Sequence, residues 1–188
     1  MSLLPLGLLS QGGGAAALDG FEPISSTVLT GTQASITISS IPATYSALQL
    51  RIVARSNTSV TFDDMILRFN GDSTSVYSWK TLDTNGGTTS QQAVSETSIR
   101  LFGIGGANLT TSAFGAMTMD IIGYRNTNMR TLVRGFGGAF SFQSNFTGNS
   151  SVFNGLWNPT TTVTSLSVAP RSGGSFIAGT RVSLYGVL

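Results

Sequence analysis

The chain contains no cysteine and no histidine. Without thiols there is no disulfide, no thiolate nucleophile and no cysteine-ligated metal centre. Without imidazole there is no Ser-His-Asp triad and no ordinary zinc, copper or haem site. Charge is scarce as well. Asp, Glu, Lys and Arg make up 10% of the residues, against roughly 25% in a typical soluble domain. The basic residues are one lysine, Lys80, and nine arginines scattered singly from Arg51 to Arg181. No basic run could track phosphates, so nucleic acid is not an expected partner. Long apolar runs are missing too. The opening stretch Leu3–Leu9 is broken by Pro5 and Gly7, too short to insert into a membrane. No stretch of ten or more residues holds a helical period of 3.6.

What remains is hydrophobic and hydroxyl-rich. Apolar residues reach 40%, and Ser, Thr, Asn and Gln must supply the polar surface. A neutral surface of this kind repels its own copies weakly, which suits assembly. The excess of Arg over Lys suits fixed, planar hydrogen bonding, as at subunit contacts.

From Phe21 onward the pattern is that of strands. Ala47–Arg55 sets Leu48, Leu50, Ile52 and Ala54 against Gln49, Arg51, Val53 and Arg55, a period of two. Ile36 and Ile38, Met65–Phe69, Thr97–Ile104, Phe114–Tyr124, Arg130–Arg134 and Thr162–Val168 read likewise. Asn70-Gly71-Asp72 signals a tight turn, which predicts Val76–Leu82 as the partner of Met65–Phe69. Asp83–Thr89 and Gln143–Asn154 read as loops. In Gly174–Leu188 the residues Val182, Leu184 and Gly186 face one way, and Arg181, Ser183 and Tyr185 the other, a closing strand on which the sheet depends. About eight to ten short strands predict an all-β, jelly-roll-like antiparallel β-sandwich over residues 21–188.

Residues 1–20 form a separate segment. An apolar stretch with Leu3, Leu4, Leu6, Leu8 and Leu9 precedes the run Gly12-Gly13-Gly14, a flexible joint. This composition predicts an anchoring arm, with a frayed terminus as the alternative. A secretion signal is disfavoured, because the start carries no Lys or Arg and the apolar core is brief.

Few constellations could carry chemistry. Asp63 and Asp64 are adjacent and point to opposite faces of an extended chain, so they do not form a glycosidase pair. Asn70-Gly71-Asp72 offers oxygens to a hard cation, but the turn accounts for them. The runs Gly103-Ile104-Gly105-Gly106 and Gly135-Phe136-Gly137-Gly138 open no helix and lack the phosphate-loop spacing; bulges or close backbone approach account for them. No cofactor, metal or catalytic residue is expected. Trp79, Trp157, Tyr77 and Tyr124 are foremost core aromatics. Among them Trp157, between Asn154-Gly155 and Asn158-Pro159, is the candidate for stacking on a ligand such as a host surface glycan.

Several segments resemble segments of the small structural proteins of tailed bacteriophages. The close Gly179-Thr180-Arg181-Val182-Ser183-Leu184-Tyr185-Gly186-Val187 is similar to their Leu-Tyr-Gly ending. Tyr45-Ser46-Ala47-Leu48-Gln49-Leu50-Arg51 with Arg55, Leu67-Arg68-Phe69-Asn70-Gly71-Asp72, Ile121-Ile122-Gly123-Tyr124-Arg125-Asn126-Thr127 and Gly155-Leu156-Trp157 agree in order. The resemblance implies a non-enzymatic virion protein, a fibre, tail-tip or capsid-decoration subunit. It further implies a homo-oligomer, commonly a trimer, in contact with other virion proteins. Host recognition through a carbohydrate-binding surface is the alternative role.

Overall fold

The computed structural model describes residues 20–84, 87–141 and 147–188. The arm residues Leu3, Leu4, Leu6, Leu8 and Leu9 lie outside them. Among the described residues there are twelve strands and no helix. They are β1 (Phe21–Val28), β2 (Ile36–Ile38), β3 (Ala47–Ala54), β4 (Phe62–Phe69), β5 (Tyr77–Asp83) and β6 (Thr89–Glu96), then β7 (Ile99–Gly105), β8 (Gly115–Ile122), β9 (Thr131–Ser141), β10 (Thr147–Trp157), β11 (Leu166–Pro170) and β12 (Arg181–Val187).

The strands form two antiparallel sheets. The larger runs β1-β12-β3-β8-β9-β10-β5-β6 and the smaller β2-β11-β4-β7. Setting aside β1, β12, β9 and β10 leaves β2-β11-β4-β7 over β3-β8-β5-β6. Numbered along the chain, those eight strands follow 1-8-3-6 over 2-7-4-5, the order of a jelly roll. The pair β9–β10 is an insertion that widens one sheet between β8 and β5. Strand β12 lies between β1 and β3, so the closing strand is interior to its sheet.

Alternation explains the core. Leu48, Leu50 and Ile52 of β3, Met65, Leu67 and Phe69 of β4, Met117, Met119 and Ile121 of β8, and Val182 and Leu184 of β12 are all buried in one cluster. Each such side chain contributes about 1.5–3 kcal/mol by leaving water. Ile36 and Ile38 bury the same face of β2.

Three expectations are corrected. Asn70 and Gly71 make the predicted turn, both at positive φ (53° and 68°), with Asp72 N–H donating to Phe69 O. Yet β4 and β5 do not pair. The turn carries the chain from the smaller sheet to the larger, where β5 pairs with β6 and β10. Inward apolar residues on both strands favour facing sheets over a flat hairpin. Second, most of the supposed loop Gln143–Asn154 belongs to β10, an eleven-residue strand. Its Ser and Asn residues hide an alternation that Phe153 and Trp157 alone reveal. Third, the loop expected over Asp83–Thr89 is shorter: Asp83 ends β5 and Thr89 opens β6, an edge strand.

Candidate functional site

The sequence-predicted residues first find structural places. Trp157 does not sit on a loop. It ends β10, is 2% exposed, and packs on Phe69 and Tyr77 with ring centroids at 5.6 and 6.5 Å. Its Nε1 donates to Asp72 Oδ2 at 3.1 Å. Burial leaves no ring face for a sugar, so its reading as a ligand contact is withdrawn. Tyr77 and Tyr124 are fully buried core residues, as their type predicts.

The motif residues prove to be staples. Tyr124 Oη donates to Pro42 O at 2.7 Å and accepts from Tyr45 N–H at 3.0 Å. The Tyr45 ring lies against Gly186, where a Cβ would collide with it. Asn70 Oδ1 accepts from Thr164 and Ser165 N–H at 2.8 and 3.1 Å. Asp72 Oδ1 accepts from Thr74 N–H and Oγ1, which, with Trp157, holds its carboxyl below the usual range. The oxygens of the Asn70-Gly71-Asp72 turn are thus engaged by the protein. Buried Arg55 donates to the carbonyls of Ala107, Leu109, Thr110 and Ala113, fixing that loop as a template.

The adjacent carboxylates part company at a bulge between Asp63 and Asp64. Asp63 is buried and accepts from Ser56 Oγ (2.7 Å), Ser172 Oγ (2.8 Å) and Asp64 N–H (2.8 Å). Asp64 faces outward and accepts from Nε and Nη2 of Arg100 at 2.9 and 2.6 Å. Desolvation raises the Asp64 carboxyl and the Arg100 guanidinium opposes that rise. Neither carboxylate faces an open cavity. Among the described residues no three acidic side chains group as a metal site requires.

The unusual surface lies elsewhere, on the outward face of the larger sheet. In β9 Val133 joins the core, but over residues 135–140 the alternation of size is reversed. Gly135, Gly137 and Ala139 point inward while Leu132, Phe136 and Phe140 point out, exposed by 43, 64 and 53%. The reversal has a steric cause. A Cβ on Gly135 would lie 2.7 Å from Met119 Cβ and 2.7 Å from the Phe153 ring, and one on Gly137 would collide with Met117. Neighbouring side chains fill the core beneath β9, so its bulk goes to the other face.

Neighbouring strands extend this surface in rows, because directly opposed residues share a face. One row runs Phe21, Val187, Ala47, Ile122, Leu132, Leu156 across six strands. Another sets Phe136 beside Val152 and Leu82, exposed by 56 and 49%. Between them lies a polar row, Tyr185, Gln49, Asp120, Arg134, Asn154, Lys80. Gln49, Asp120 and Arg134 in this row are joined to one another. Gln49 Nε2 donates to Asp120 Oδ1 at 3.1 Å, Arg134 Nε to Asp120 Oδ2 at 3.3 Å, and Arg51 Nε to Gln49 Oε1 at 2.7 Å. The Arg51 guanidinium also lies 4.6 Å from the Tyr185 ring centroid and 5.1 Å from that of Phe21.

Phe136 is the landmark of this face. It borders three shallow depressions of about 350, 410 and 400 Å³, one against Gln49, Asp120 and Asn154, one against Arg51, Val53 and Tyr185, one over Gly138 and Ala116. The surface is broad and shallow, with an aromatic centre and with Asp120 paired to Arg134. The sequence signal was the run Gly135-Phe136-Gly137-Gly138. It was read for its glycines, whereas the phenylalanine between them marks the site.

No known protein family, curated protein or solved structure matches this chain.

Proposed function

We propose that this chain is a non-enzymatic structural protein of a tailed-phage virion, held in place by residues 1–20 and docked through the outward face of its larger sheet. The observation that carries the reading is the reversed alternation of β9. A strand that exposes Leu132 and Phe136 loses much of the burial those side chains would contribute, up to roughly 1.5–3 kcal/mol each. That loss is recovered only when a partner covers the face. The resemblance supplies the setting, a fibre, tail-tip or capsid-decoration subunit that works as a homo-oligomer. The roles of Tyr45, Arg55, Asn70, Asp72, Tyr124, Trp157 and Gly186 support it, since each is a staple that constrains sequence without chemistry.

The test is labelling of intact particles with gold-conjugated antibody against the folded body, alongside a truncation lacking residues 1–20. Label on capsid or tail, lost with the truncation while the body still folds, is the expected result. No label on any particle would overturn the virion assignment. Retained label with the truncation would overturn the role of the arm. Particle binding competed by host polysaccharide would move host recognition to the front, with Phe136 in the place of Trp157.

A further inference from the structure

We propose that the partner covering the outward face of the larger sheet is a second copy of this same chain, seated at Phe136. The inference rests on the reading of this face as an assembly surface and names its occupant.

Size is the first argument. Eight strands about 4.8 Å apart make the sheet roughly 34 Å wide, and seven residues at about 3.3 Å each make it roughly 23 Å deep. The face therefore offers on the order of 800 Å², the area each partner contributes to a stable protein interface. A sugar ring in one of the depressions at Phe136 would leave Leu132 and Leu82 in water.

Relief is the second. Along β9, Phe136 stands on one side of Gly138 and Phe140 on the other. Gly138 opposes Ala116 and Ser150 on the neighbouring strands. The result is a depression of about 400 Å³ with small residues at its floor. Each copy thus presents both a protruding ring and a seat for one. Phe136 of one copy fits over Gly138 and Ala116 of the next. The exchange is reciprocal about a two-fold axis or passed round a three-fold ring.

Charge is the third. Arg134 is paired with Asp120, and Arg51 rests on Tyr185 and Phe21. Arg134 and Asp120 enter a contact already paired, and Arg51 enters it held by Gln49 and two ring faces, so covering the Arg134–Asp120 pair leaves neither member alone.

The experiment measures the mass of the full chain in solution over a dilution series, by light scattering and sedimentation. Phe136→Ser removes the protruding ring and Ala116→Arg fills the seat. Thr37→Arg, exposed on β2 of the opposite sheet, is the control. The expected result is a wild-type assembly of more than one copy, weakened about tenfold or more by either face variant and unchanged by the control. Circular dichroism of the dilute variants checks folding, and Ala116→Arg reads the same surface should Phe136→Ser misfold. A wild-type chain that stays monomeric at high concentration overturns the proposal. So does an assembly indifferent to both face variants. A wild-type chain that stays monomeric yet labels particles would sink the copy-to-copy contact and leave the virion reading standing. A face-dependent assembly that labels no particle would do the reverse.

Discussion

Strands β8 and β9 lie side by side and hydrogen-bonded over seven residue pairs, yet they follow opposite rules. In β8 the large residues Met117, Met119 and Ile121 go inward, and Ala116, Thr118 and Asp120 face out. In β9 Val133 still goes inward, but the next inward places are held by Gly135, Gly137 and Ala139, and Leu132, Phe136 and Phe140 are exposed. The two are complementary within the sheet. The methionines of β8, with Phe153 of β10, occupy the core volume that β9 leaves open. Strand β8 thus puts its core bulk inward, whereas much of the bulk of β9 stands on the outer face that the proposed assembly would cover. The outward face of the smaller sheet repeats the first rule, with Thr37, Arg68 and the Asp64–Arg100 pair at 2.6 Å.

The strongest way to test this division is to cut the inward side where it is best packed. Trp157→Ala removes a buried indole with two aromatic neighbours and its bond to Asp72. A loss of about 3–5 kcal/mol in chemical denaturation is expected. A loss below about 1 kcal/mol would mean that the inward face is not what holds the fold.

Alkaline titration probes the same core. Burial pushes the Tyr77 hydroxyl up to about 12, with the Phe69 backbone hydrogen bond opposing. Because the folded value is raised, the folded chain keeps its proton after the unfolded chain has lost it. The associated stability is present in full below pH 10 and is lost as pH rises through about 12, about 2–3 kcal/mol in all. Tyr77→Phe should start lower, because Phe69 N–H loses its acceptor, and should lack that part of the alkaline slope. An identical slope in the variant would place the titrating group elsewhere.

A third substitution imposes the rule of β8 on β9. Gly137→Val supplies the inward side chain that alternation calls for, and Met117 is in the way. Destabilisation of about 1–3 kcal/mol is expected. Pairing it with Met117→Ala should recover part of the loss. A neutral or stabilising Gly137→Val would show that β9 has spare core volume and that its reversal needs another cause.

The fold was largely legible where one residue type marks each face. Leu48, Leu50 and Ile52 against Gln49 and Arg51 fix β3 without any structure, and the same holds for β8 and β12. Legibility failed where the marker was missing. Strand β6, Thr89–Glu96, is an edge strand that buries little, so its sequence carries no apolar period. In β10 the inward places are taken in turn by Asn149, Ser151, Phe153, Gly155 and Trp157, and small or polar residues mask the alternation. The turn at Asn70-Gly71 was read correctly, and the pairing beyond it was not, because turn chemistry is local and sheet membership is decided by distant strands. Trp157 looked loop-borne since Asn and Pro follow it, whereas its neighbours are set by Phe69, Tyr77 and Asp72 across the sandwich. The face at Phe136 was unread for a related reason. A phenylalanine among glycines signals bulk but not direction, and its direction depends on what Met117, Met119 and Phe153 already fill.

The smallest effect is the sharpest test of the comparison. Phe136→Ser deletes a large aromatic from the same sheet that Trp157 serves, but from its outward face. In dilute solution, where copies are apart, the change in unfolding free energy should stay within about 0.5 kcal/mol. At concentrations where copies associate, the wild type gains stability by mass action and the variant does not, so the two melting curves separate only as concentration rises. A penalty present at every dilution would make Phe136 part of the fold and erase the distinction between β8 and β9. A gap that opens with concentration ties the outward phenylalanine to contact between copies.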